Sequence, residues 1–385
     1  MTATLRTVVA GRVVFRLVLG WGAFAVLFAA QPFLSARLST PVLVTVLAGI
    51  IAVIVVCAFG VVGEAEHLAR RLGDPYGTLV LTLSIVMIEV ILISAVMLGP
   101  GEHTTIARDS VMAVSMIILN LVIGIALLVG GLRHARLRPN RTGVSAYLSL
   151  LVVLLAVAFA LPGLIGEGGS YTPGQEIPII VLTVLLYAFF LHRQMGEQRG
   201  DFQEVAPEKR LTSAGAAAQQ PLREGSLVLS AISEHRAEVV THTLVLIATV
   251  VPIVLLSHDM ATLLDDGLDR AGAPVALSGI LIAMIVFLPE TITTIRAAHN
   301  GEIQRVSNLC HGALVSTVGL TIPAVLTIGM LTGQTVVLAE TPANQLLLGL
   351  TLLLSLTTFS GRRVTALHGG AHLMTFALYG ISVFS

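Results

Sequence analysis

Charged side chains are scarce in this chain: 11% of its 385 residues, against 55% hydrophobic. A soluble domain of this length covers its surface with far more charge, so a soluble globular fold is excluded. Cysteine is nearly absent. Cys57 and Cys310 are the two present, and both fall in apolar runs. That rules out a disulfide framework and leaves too few thiols, too far apart, for a thiolate metal site. Basic residues nowhere cluster with aromatics, which leaves nucleic-acid partners without support. The net charge of zero says nothing about partners, because the charges sit between the apolar runs.

What is present is a series of apolar stretches of about 20 residues, each long enough to cross a bilayer as a helix. They predict an all-α polytopic membrane protein with eleven spans, at 13–31, 41–62, 75–98, 110–132, 144–165, 177–192, 240–257, 273–298, 311–331, 343–360 and 364–384. With the N-terminus in the cytoplasm, 19 of the 22 Lys and Arg residues fall in inside segments, leaving Arg37, Arg108 and Arg270 outside. The positive-inside rule therefore puts the N-terminus in the cytoplasm and the C-terminus outside, in a multi-pass protein of the bacterial inner membrane. The first span is full-length and reads as a retained helix rather than a cleaved leader.

A polar, small-residue-rich stretch at 193–236 divides the spans and reads as a cytoplasmic tether. It defines four parts: an N-terminal helix (1–40), a first five-helix repeat (41–192), the linker (193–236) and a second repeat (237–385). Five is odd, so the second repeat enters the bilayer inverted. The segments "AEHLARRLGDPYGTLVLTLSIVMIEVILI" and "MATLLDDGLDRAGAPVALSGILIAMIVFLPETITTI" share one plan. Each has an amphipathic end, a Gly-x-Pro turn, an apolar run with small hydroxyls, and one glutamate. Inverted repeats are the build of secondary transporters, with the site at the midplane where the repeats meet.

Glu89 and Glu290 are the elements that would meet there. An ionisable group at that depth costs about 2.5–3.5 kcal/mol on insertion scales and is functional by default unless paired. No basic residue lies in the core of any span to pair with it. Thr78 and Thr82 share a helical face with Glu89. Pro289, which lacks an N–H, breaks the helix just before Glu290 and frees carbonyls upstream. Thr291, Thr293 and Thr294 add hydroxyls, as do Ser115 and Asn120 in the fourth span and Asn308, Ser316 and Thr317 in the ninth. Two carboxylates among such oxygens make a hard-cation site of the kind calcium favours. One divalent ion or two protons would neutralise the pair, and withdrawal from water penalises the bare carboxylates. The residues thus point to proton/cation exchange by alternating access.

At these residues the chain resembles the bacterial calcium/proton antiporters of the calcium:cation antiporter superfamily, from about Pro41 onward. The resemblance is carried by "GDPYGTLVLTLSIVMIEV", "ILNLVIGIALLVGGLRH", "QRVSNLCHGALVSTVGLTIPAVL" and "LHGGAHLMTFALY". It implies a sodium/calcium exchanger-like fold of one N-terminal helix plus two inverted five-helix repeats. It also implies a cation-binding glutamate in each repeat, falling here on Glu89 and Glu290, with Asn120 and Thr317 as neighbours. No cofactor is implied; the partners are the bilayer, protons and small cations. Many relatives carry Gly-Asn shortly before the glutamate, where this chain has "SIVMIE" and "IVFLPE". Sodium or potassium in exchange for protons therefore stands beside calcium.

Three other motifs compete for attention. His368 and His372 are one helical turn apart, as zinc ligands are, but lack a neighbouring carboxylate or cysteine; packing is the plainer reading. His311 and His242 read as helix-end histidines, with a proton-relay role open for His311. "EAEHLARR", Glu64 to Arg71, carries the glutamate and histidine of an intramembrane metal-dependent protease, but an ion pair of Glu66 with Arg70 explains it without chemistry.

Overall fold

A computed structural model describes residues 11–34, 38–72, 104–134, 137–205, 236–274 and 276–384, with scattered positions between 83 and 97. Besides the helical positions around Glu89, eleven helices have described bounds. They are α1 (Gly11–Leu34), α2 (Thr40–Leu72), α3 (Ile106–Arg133), α4 (Arg141–Ile165), α5 (Pro173–Met195), α6 (Arg236–Ala271), α7 (Ala276–Val286), α8 (Leu288–Asn300), α9 (Ile303–Thr332), α10 (Pro342–Ser360) and α11 (Ala366–Val383). Among the described residues there are no named strands, and the two isolated bridges only pin loops. The described positions around Glu89 are helical.

Eight of these helices are long and apolar enough to cross a membrane, or nine if the bent pair α7–α8 is one span. The protein is thus a multi-pass helical membrane protein. The third predicted span lies mostly outside the described residues, as do Thr78 and Thr82. The eleventh, α11, has His368 and His372 in its first two turns and is not among the eight.

Several boundaries differ from the sequence reading: α2 runs on to Leu72 rather than 62, α9 starts at Ile303 rather than 311, and three further differences have a physical reason. α6 continues fourteen residues past the predicted end at 257, through "HDMATLLDDGLDRA", because a polar amphipathic stretch extends a helix whose backbone bonds are internal. The predicted eighth span is two helices, whose segments Gly279–Ile285 and Glu290–Asn300 meet at 57°. Pro289 sits in the first turn of the second, where its missing N–H costs nothing. Finally, the opening of the 193–236 stretch is folded. A 3-10 turn, Arg199–Phe202, buries Phe202 against Tyr147, ring centroids 5.0 Å apart.

α3 and α9 are buried for most of their apolar length, whereas α1 lies largely at the periphery. Each central helix carries a π turn, Ile117–Val122 in α3 and Asn308–Gly312 in α9. A π turn displaces one backbone hydrogen bond and is common at functional sites. α11 crosses α3 through glycine. A Cβ on Gly369 would stand 2.6 Å from the Gly124 carbonyl oxygen, so the backbones meet with no side chain between. α2 and α6 pack along one another as an extensive helix pair. They are clasped at one end by His242 Nδ1 on Glu64 Oε2 at 2.6 Å.

Candidate functional site

Glu89 and Glu290 are each only 4% exposed, yet among the described residues neither is paired with a basic side chain. Thr317 on α9 donates its hydroxyl to Glu89 Oε2 at 2.7 Å, and Glu89 Oε1 has no hydrogen-bond partner among the described residues. Neither carboxyl oxygen of Glu290 has one. The two carboxyls are close enough to act on each other electrostatically. Glu290 lies in the first turn of α8, where free N–H groups and the helix dipole favour negative charge.

The hydroxyl and amide residues expected to join them divide into groups. Asn120, in the α3 π turn, donates its amide to Thr351 at 2.8 Å and leaves its buried carbonyl oxygen unpartnered. Thr294 and Thr293 are buried one turn beyond Glu290, and the Thr294 hydroxyl lies against the Cys310 thiol. Ser316 accepts from the Tyr187 hydroxyl at 3.0 Å and donates to the Gly312 carbonyl at 2.9 Å, which fixes the helix turn ahead of Thr317. Ser115 and Thr291 donate back to the carbonyls of Val111 and Phe287, four residues earlier.

Asn308 is taken up elsewhere. Its carbonyl accepts from Gln304 at 2.9 Å and from the Tyr147 hydroxyl at 3.4 Å, and its amide donates to the Phe202 carbonyl at 2.7 Å. It ties α9 to the folded start of the linker. Two residues that the sequence reading passed over are fully buried with unpartnered hydroxyl oxygens: Thr321, one turn beyond Thr317, and Ser355, one turn beyond Thr351. The four-residue spacing from Thr317 was the signal that could have found Thr321.

The remaining motifs settle differently. The side chains of Glu66 and Arg70 lie outside the described residues. His368 Nδ1 accepts the Thr365 N–H in a capping arrangement at 3.1 Å, while His372 Nε2 faces the Thr358 hydroxyl at 3.2 Å. The two histidines are thus engaged separately.

A bundle of membrane-spanning helices with a bent half-helix, π turns in its central helices and two buried carboxyls within electrostatic reach of one another has the architecture of a polytopic cation transporter. The chain belongs to the sodium/calcium exchanger protein family, whose profile matches residues 42–196 and 241–384, and so to the calcium:cation antiporter superfamily. It is 30% identical over 340 residues to the sodium-potassium/proton antiporter ChaA of Escherichia coli (strain K12), covering 85% of this chain and 86% of that one. It is 33% identical over 324 residues to the putative ionic transporter y4hA of Sinorhizobium fredii (strain NBRC 101917 / NGR234), covering 83% of each. The fold matches native YfkE with a TM-score of 0.68 at 16% identity, over 96% of this chain and 99% of that one. It matches the H+/Ca2+ exchanger CAX with a TM-score of 0.62 at 13% identity, over 96% and 88%. Membership of an exchanger family leaves the protease reading of "EAEHLARR" without support.

Proposed function

We propose that the chain is a secondary antiporter that exchanges calcium for protons by alternating access, with Glu89 and Glu290 carrying cation and protons in turn. The observation that carries the reading is the pair itself: two buried carboxyls acting on each other, with three of their four oxygens unpartnered among the described residues. Two carboxylates shut away from water repel strongly unless something neutralises them. One divalent cation does so, and so do two protons. Occupation by one excludes the other, which is the minimum an exchanger needs. Asn120, Thr293, Thr294, Thr317, Thr321 and Ser355 supply the surrounding oxygen chemistry suited to a hard cation, and Ser316 orients the turn that holds Thr317. The site joins two inverted repeats, 41–192 and 237–385, in the bacterial inner membrane with the N-terminus inside.

A second reading has its own observation. The E. coli relative named as a sodium-potassium/proton antiporter is 30% identical across most of both chains, and the Gly-Asn that many relatives place before the glutamate is absent here. Sodium or potassium is then the exchanged ion.

One assay tests both. In everted vesicles holding a proton gradient, additions of calcium, sodium and potassium identify the cation that collapses it. Glu89→Gln and Glu290→Gln each abolish that collapse; exchange retained in either variant removes that residue from the site. Because protons and cation compete, apparent cation affinity weakens on acidification, and an affinity independent of pH counts against sharing.

A further inference from the structure

Buried hydroxyls in these helices have a default partner. Those of Ser115, Thr249 and Ser257 each donate to the carbonyl four residues earlier, at 2.6–2.8 Å. This is the usual way for a serine or threonine to satisfy its proton inside a helix. Thr317 departs from it. A hydroxyl has one proton, and that of Thr317 goes to Oε2 of Glu89 at 2.7 Å instead of to Ala313, whose carbonyl stands four residues back on its own helix. Threonine reaches either kind of partner by turning about its Cα–Cβ bond, so a small rotation of α9 decides between them.

That rotation is held from the other half of the chain. α5 buries a single stripe, Thr183, Tyr187, Phe190 and Gln194, and packs with it along α9. The Tyr187 ring covers Gly319, where an added Cβ would stand 3.0 Å from its Cδ2. Its hydroxyl donates to Ser316 at 3.0 Å. The direction of that bond follows from the proton count: the Ser316 proton is taken by the Gly312 carbonyl at 2.9 Å, so the Ser316 oxygen accepts. Tyr187 is only 5% exposed, and phenylalanine would cover the same apolar surface without the cost of burying a hydroxyl. Packing alone does not account for the oxygen. What the tyrosine adds is a grip on α9 at both sides of Thr317, one residue before it and two residues after.

We propose that Tyr187 is a positioning residue for the cation site: its hold on Ser316 and Gly319 sets the rotation of α9 at which Thr317 bonds Glu89 instead of its own helix. This role rests on the exchange reading above, in which Glu89 holds the cation. Without the Tyr187 hydroxyl, α9 relaxes, the Thr317 proton returns to the Ala313 carbonyl, and Glu89 loses the bond that orients it. Tyr187 touches neither glutamate. It tunes cation affinity through two consecutive residues, Ser316 and Thr317, and every step of that path is a direct bond or a chain neighbour.

The test is a double-mutant cycle on the cation KM, read from collapse of a proton gradient in proteoliposomes of the purified full chain. The cation is whichever of calcium, sodium and potassium the wild type exchanges. Tyr187→Phe keeps the ring on Gly319 and removes only the donor. It is expected to raise KM roughly 2- to 10-fold, the range of one net hydrogen bond, with the maximal rate near wild type. Ser316→Ala removes the acceptor and gives a similar rise, and the two together give no more than either alone. In a Thr317→Val background Tyr187→Phe adds nothing, because the bond it serves is already gone. A wild-type KM in Tyr187→Phe overturns the role, whether or not that variant melts lower. So does an equal-fold rise in both backgrounds, which marks a brace acting on the site by another route. Failure of the exchange reading looks different: wild-type protein that collapses the gradient with none of the three cations, or Glu89→Gln that still exchanges.

Discussion

The hydroxyl of Thr317 donates a 2.7 Å hydrogen bond to Oε2 of Glu89, across 228 residues of sequence and from one half of the chain to the other. It is the one direct bond that either glutamate makes among the described residues. A hydrogen bond to a charged group contributes about 1.5–3 kcal/mol, so this contact fixes the orientation of the carboxyl. Thr317→Val keeps the shape and removes the donor. The expected result is a roughly 10- to 100-fold rise in the KM for the exchanged cation, with Thr317→Ser close to wild type. A valine variant with unchanged KM would show that the bond only braces the helices.

The crossing of α3 and α11 depends on a missing side chain. A Cβ on Gly369 would lie 2.6 Å from both the Gly124 carbonyl oxygen and the Leu128 nitrogen. These are backbone atoms and cannot swing away, so Gly369→Ala must push the helices apart. Overpacking of this kind costs about 1–3 kcal/mol, and the variant should melt several degrees lower in detergent. Gly370→Ala is the control, because a Cβ there meets nothing within 4 Å. Equal melting of the two variants would mean that the crossing is not tight.

These two cases mark what the sequence could disclose. Glu89 and Glu290 stood out because a carboxylate among apolar residues has no cheap explanation, and the break before Glu290 was legible because proline cannot donate a backbone hydrogen bond. Fold class followed from the length of the apolar runs. Asn308 misled because its environment is built by Gln304, Tyr147 and Phe202, which come from three separate elements. No periodicity announces such a network. Thr321 and Ser355 were passed over because one hydroxyl in an apolar helix is ordinary, and only the neighbouring helices decide whether it is bonded. The π turns of α3 and α9 are invisible in composition, since they are a matter of which carbonyl each N–H finds. The length of α6 was underestimated because its polar end looks like a loop when only hydropathy is weighed.

At the opposite side of α9 from its folded start, Glu340 sits in the loop that leads into α10. It is 6% exposed and lies outside the spans. Its Oε2 accepts from the Thr341 N–H at 3.0 Å and the Asn344 amide at 2.9 Å, while Oε1 has no partner. Burial raises its carboxyl above the usual carboxylate range; the bonds from Asn344 and Thr341 and the nearby Arg108 offset this only in part, and Asp109 adds to it. A group whose folded-state pKa is raised stabilises the fold below its unfolded value, and that contribution is lost as pH rises through the folded one. Glu340→Gln mimics the protonated form at every pH: its carbonyl can take the two donors and its amide the place of Oε1. At about pH 8 the variant should therefore melt above the wild type, and the gap should close as pH falls to the ordinary carboxylate range near 4. Thermal melting of both proteins across that range in one detergent measures it. A gap that stays constant, or a wild type that gains on the variant as pH rises, would show that Glu340 is held as a carboxylate by the N-terminus of α10 and not as the neutral acid.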